Sequence, residues 1–94
     1  MLSEDRAQEI AGNALGFVAS DRAMIQALLD VSGLDLADLR QAAERPEFAI
    51  FLLDFVLLDD DRVLAFAASQ GIKPEAVLFA RETLANLGAG VHHG

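Results

Sequence analysis

The sequence predicts an all-α fold, with about six helices in a single compact bundle. Three observations carry this. Apolar residues recur at helical spacing almost from end to end, and no segment sustains the period-two alternation of a half-buried strand. Capping residues and glycine or proline stops punctuate the runs. The chain also matches itself when shifted by 38 positions, giving nine identities between residues 10–46 and 48–84 without a gap. Ala11, Leu15, Phe17, Val18 and Asp21 fall on Ala49, Leu53, Phe55, Val56 and Asp59; Ala27, Gly33, Ala42 and Glu44 fall on Ala65, Gly71, Ala80 and Glu82. The match predicts two three-helix repeats related by a pseudo-twofold, sharing one core because neither alone has enough apolar surface.

Each element follows from local chemistry. Ser3 caps the first helix, with Glu4 and Asp5 complementing its dipole. Ala7, Ile10, Ala11, Ala14, Leu15 and Val18 form its buried face. Ser20-Asp21 breaks that helix and caps the second, whose stripe is Met24, Ile25, Leu28 and Leu29 and whose stop is Gly33. Asp35 caps a short third helix, with Leu36 and Leu39 inward and Pro46 ending it. Pro46 is then read as the first residue of the fourth helix, Glu47–Leu58, which is hydrophobic nearly all round. Such a helix lies at the centre of a core or at an interface. Asp59-Asp60-Asp61 opens the fifth, with Val63, Leu64, Phe66 and Ala67 inward and Gly71 as the stop. Lys73-Pro74-Glu75 opens the sixth, which buries Val77, Leu78, Ala80, Leu84 and Leu87 and ends at Gly88. The domain is thus residues 1–88, and residues 89–94 are expected to form a flexible tail.

Composition excludes several classes of function. Fifteen acids against seven bases give a net charge of −8, and the bases are scattered, each near an acid. Nucleic-acid binding needs clustered Lys and Arg, so neither DNA nor RNA is an expected partner. The absence of cysteine removes disulfides, thiolate metal sites and cysteine nucleophiles, and fits a cytoplasmic location. The acidic start, Met1-Leu2-Ser3-Glu4-Asp5, lacks the regions of a signal peptide. Uncharged apolar runs such as Phe48–Leu53 fall far short of the roughly 20 residues that span a bilayer, so no membrane insertion is expected.

Several strings in fixed order resemble a known family. They are Glu9-Ile10-Ala11-x-x-Ala14-Leu15-x-Phe17-Val18-Ala19-x-Asp21, Ser32-Gly33-Leu34, Asp38-Leu39-Arg40 and Pro46-x-Phe48. Leu53-Asp54-Phe55, an acidic turn, and Gly71-Ile72-x-Pro74-x-x-Val77-x-x-Ala80 follow. Over residues 7–87 this resembles domain of unknown function 3572, a family of small alphaproteobacterial helical proteins. The resemblance implies a bacterial cytoplasmic protein and transfers no activity, cofactor or site residue.

The residues themselves assemble no catalytic set, so no enzyme, cofactor or metal is expected. The Asp59 run fails the calcium-loop pattern, because Leu64 and Gln70 stand where a glycine and a bidentate glutamate are needed. His92 and His93 are adjacent and lack further ligands. No Asp-Ser-Leu string marks an acyl carrier protein; Ser32 follows Val31. Gly12 and Gly16 form a Gly-x-x-x-Gly of the kind that brings helices close.

Asp54 stands out as a carboxylate inside an apolar run. It either lies on a narrow solvent stripe with Glu47 or pairs with an arginine, for which Arg40 is the candidate. Ile50 and Phe51 share that face. Glu47, Ile50, Phe51 and Asp54 therefore make the candidate interaction surface, for a protein partner or for self-association, unless a neighbouring helix covers them. The alternative is a small-ligand or lipid-binding protein whose six phenylalanines line a cavity.

Overall fold

Local capping sets where the chain turns. A computed structural model describes the backbone of residues 2–93 and the side chains as far as Leu87. It contains α1 (Glu4–Ala19), α2 (Arg22–Ser32), α3 (Leu36–Ala42), α4 (Glu47–Leu57), α5 (Asp60–Gln70) and α6 (Pro74–His93), with no strand among the described residues. Ser3 accepts a bond from the Arg6 amide at 3.2 Å, and Asp35 accepts one from the Asp38 amide at 2.8 Å. Asp21 and Asp59, equivalent under the 38-residue shift, cap in the same manner. Each carboxylate accepts from the amides two and three residues on, at 2.9 and 3.2 Å. Gly33 and Gly71, also equivalent, end α2 and α5 at φ of 73° and 65°, which only glycine adopts without strain. Pro46 takes the N-cap rather than the first helical position, with φ −58° and ψ −38°.

Packing is less even than the repeat suggests. α1, α4 and α6 pack on one another; α2 rests on α1, and α5 rests on all three. The molecule is only 18 Å through its short axis, two helix layers at the usual spacing. Alanines 7, 11 and 14 of α1 and Ala80 of α6 are buried, and such small side chains let helices approach closely. Phe55, Phe66, Ile10, Leu28, Leu52 and Leu53 supply the bulk of the core. The third helices break the equivalence of the halves. α6 spans 20 residues and lies against both α1 and α4, while α3 has seven and buries only Leu39. The shared caps and glycines match the predicted duplication locally; the packing does not extend it to a pseudo-twofold.

Three expectations are corrected here. α6 runs on past Gly88, where a stop was predicted, and the flexible tail over 89–94, with His92 and His93, lies outside the described side chains. Leu15, Leu36, Leu64, Leu78 and Leu87 are exposed, because helical spacing places them at the flanks of faces whose neighbours do not reach that far. Gly12 and Gly16 mark no close approach: a Cβ built on either meets no heavy atom within 4 Å. Glycine at these positions only loosens α1. Gly12→Ala and Gly16→Ala should therefore each stabilise the fold by about 0.5–1 kcal/mol, read as a rise in the urea midpoint. A fall would mean that the α1 surface is covered after all.

Candidate functional site

α4 owes its all-round hydrophobicity to its central place. Phe48, Leu52, Leu53, Phe55 and Val56 are buried, and Ala49, Ile50, Phe51 and Leu57 are half-buried against the same core. Glu47 is exposed. The four residues expected to form one surface do not stay together: Ile50 is half-buried against the core, and the other three divide between two neighbours. Asp54 turns to α6, while Glu47 and Phe51 border α2 and α3.

The partner of Asp54 is Arg81, not Arg40. Nε of Arg81 donates to Oδ1 at 2.7 Å and Nη2 reaches Oδ2 at 3.5 Å. Arg40 lies on α3, which makes at most marginal contact with α4, so it does not serve this carboxylate. The hydrogen bond that Arg81 donates to Asp54, followed by the charge of that carboxylate, raises the guanidinium above its ordinary value. A raised cation contributes fully below its unfolded value and is lost only above it. Titration of Arg81 therefore removes nothing across the range in which proteins fold. Both side chains are open to water, at 32% and 47%, so screening keeps the pair weak. Asp54→Asn should cost no more than about 1 kcal/mol in urea unfolding. A loss several times larger would show the carboxylate to be far less solvated than it is here.

Phe51 and Glu47 line an open groove of about 320 Å³ with Val31, Leu34, Ala42 and Phe48. The Phe48 and Phe51 rings lie 5.9 Å apart, tilted by 45°. Val31, at the end of α2, is 55% exposed and presents an apolar side chain directly beside them. Arg45 and Glu47 supply opposite charges to the lining. Val31 was not counted in the Met24–Ile25–Leu28–Leu29 stripe, although it lies seven residues from Met24 and three from Leu28 and so continues it. Periodicity thus marks Val31 as apolar-face, and what it does not show is that the side chain stays 55% exposed.

The phenylalanines do not share a cavity. Phe17 packs on Phe66 with ring centres 5.3 Å apart, Phe55 lies beneath Arg62, and Phe79 is exposed on α6. The grooves seen on the surface do not gather the six: Phe48 and Phe51 share one, and Phe79 lines another. The acidic run has a positional role: Asp59 caps α5, and Asp60 and Asp61 occupy its first turn. Thr83 of α6 is buried, and its hydroxyl donates to the Leu2 carbonyl at 3.3 Å. Its spacing of three from Ala80 was the signal available.

Among the described residues no helix is long and apolar enough to cross a membrane. A family model described as protein of unknown function, DUF3572, matches residues 4–87. No curated protein and no solved structure matches the chain.

Proposed function

This chain belongs to that family of unknown function, and we propose that it is a non-enzymatic helical module, cytoplasmic, which binds a protein partner through the α2–α4 groove. The observation that carries this is Val31, 55% exposed beside Phe51 and Phe48 in a groove open to solvent. Contiguous exposed apolar surface with polar residues around it is what protein partners cover. The partner is basic. A second copy would bring another −8 to the contact, and like charge disfavours that encounter, whereas a cationic protein is drawn to it.

The variant that tests this must leave the fold intact. Phe51 is half-buried against the core, so Phe51→Asp would confound binding with stability. Val31→Glu places a charge where the side chain is already in water. Captured from its native cytoplasm, the chain should retain a basic partner that high salt releases. Val31→Glu should weaken that binding at least about tenfold, while Leu64→Glu, on the exposed side of α5, leaves it unchanged. Equal retention by Val31→Glu and the unaltered chain would overturn the assignment of the groove.

A further inference from the structure

A second apolar site lies between α1, α2 and α3, distinct from the groove at Phe51. It is a slot of about 470 Å³ whose walls are Leu15 and Val18, Ile25 and Leu28, and Leu36 and Leu39. Val18 and Leu28 are each 1% exposed and Leu39 8%, so water scarcely reaches the floor. Leu15 and Leu36, at 36% and 49%, stand open at the mouth. Both are residues that helical periodicity assigns to the core. The slot is therefore where the apolar pattern of this small domain outruns its own packing. Its volume falls in the range of small-ligand sites, about 300–1,000 Å³, and its walls are aliphatic, which suits a polymethylene chain.

One charged residue, Arg40, belongs to the lining. Leu36, Leu39, Arg40 and Ala43 recur at helical spacing on one side of α3, which sets a guanidinium beside the aliphatic walls. Asp35 is engaged in capping, with its carboxylate accepting from the Asp38 amide. Among the described residues no carboxylate pairs with Arg40, in a chain that has fifteen acids and seven bases. A single planar guanidinium matches one carboxylate, with two parallel N–H···O bonds. We infer that the slot binds one long-chain fatty acid, its tail between the leucines of α1, α2 and α3 and its carboxylate on Arg40.

Calorimetric titration of the delipidated full chain with octanoate, decanoate and dodecanoate, each against the matching alkanol and below micelle formation, tests this. One molecule should bind per chain, with affinity rising about fourfold per added methylene. Dodecanoate should bind about tenfold more tightly than dodecanol. Arg40→Gln should abolish that preference and leave dodecanol binding unchanged. Leu36→Ser should weaken both ligands, with the helical spectrum preserved because both side chains are exposed. Val31→Glu should bind dodecanoate like the unaltered chain, so that failure at one site is separable from failure at the other. Equal affinity for acid and alcohol, an Arg40→Gln variant that binds dodecanoate normally, or the absence of saturable binding would each overturn the inference.

Discussion

Phe66→Ala should destabilise the domain by about 3–5 kcal/mol, the largest effect expected of any single substitution here. Phe66 is wholly excluded from water on α5, and its ring lies 5.3 Å from that of Phe17 on α1 at an interplanar angle of 57°. Truncation removes the transfer free energy of the ring and leaves a cavity, because the close-packed neighbours relax only in part. A chain of 94 residues has a total stability of about 5–10 kcal/mol, so the variant should retain only about 0–7 kcal/mol and unfold at much lower urea. Phe66→Leu separates the two causes, since it keeps most of the volume and should retain a cooperative transition. Urea unfolding followed by circular dichroism reads both. A Phe66→Ala loss below about 1 kcal/mol would mean that α5 does not seat this ring in the core.

The second large effect belongs to Arg62. α4 ends without a glycine stop or a basic residue in its last turn, and its final carbonyls need partners from elsewhere. Arg62, in the first turn of α5, reaches back. Its Nη1 donates to the Phe55 carbonyl at 2.6 Å, and its guanidinium carbon sits 4.0 Å above the centre of the Phe55 ring. One side chain thus closes the α4–α5 corner by a charge-assisted hydrogen bond and a cation–π contact together. Arg62→Met retains the packing of the stem and loses both, for an expected cost of about 2–3 kcal/mol. Arg62→Lys keeps the charge without the planar fork and should recover only part of that. A double-mutant cycle with Phe55→Leu apportions the ring contact. A coupling near zero would leave the hydrogen bond as the whole effect.

What could be read from the sequence was what is local. The caps at Ser3, Asp21, Asp35 and Asp59 act within three residues, and Gly33 and Gly71 meet a backbone requirement at a single position. Those signals placed the starts of α1, α2, α3 and α5 and the ends of α2 and α5, whereas α3, expected to reach Pro46, ends at Ala42. Pairings that depend on how helices are stacked were not accessible in this way. Arg40 was favoured because its helix comes next to α4 in the chain, whereas Arg81, 27 residues from Asp54, is brought to it by the stacking of α6 on α4. Periodicity likewise gives the direction of a face and not the width of what covers it. Leu15 and Leu36 fall on their apolar stripes as Ile10 and Leu39 do, yet stay exposed because α3 is short and lies at the margin. The groove at Phe51 was half legible. Phe51 and Glu47 are in it, whereas Val31 enters only because the end of α2 comes to lie beside α4.

The most direct test of the proposed interaction site is photo-cross-linking in cells that express the chain natively, with a benzophenone amino acid at position 31 and, separately, at position 64. Both positions are more than half exposed, so neither replacement disturbs the core. One dominant adduct to a basic protein from position 31, absent from position 64, is the expected result. The same pattern from both positions, no adduct from position 31, or an adduct only to a second copy of this chain would contradict it.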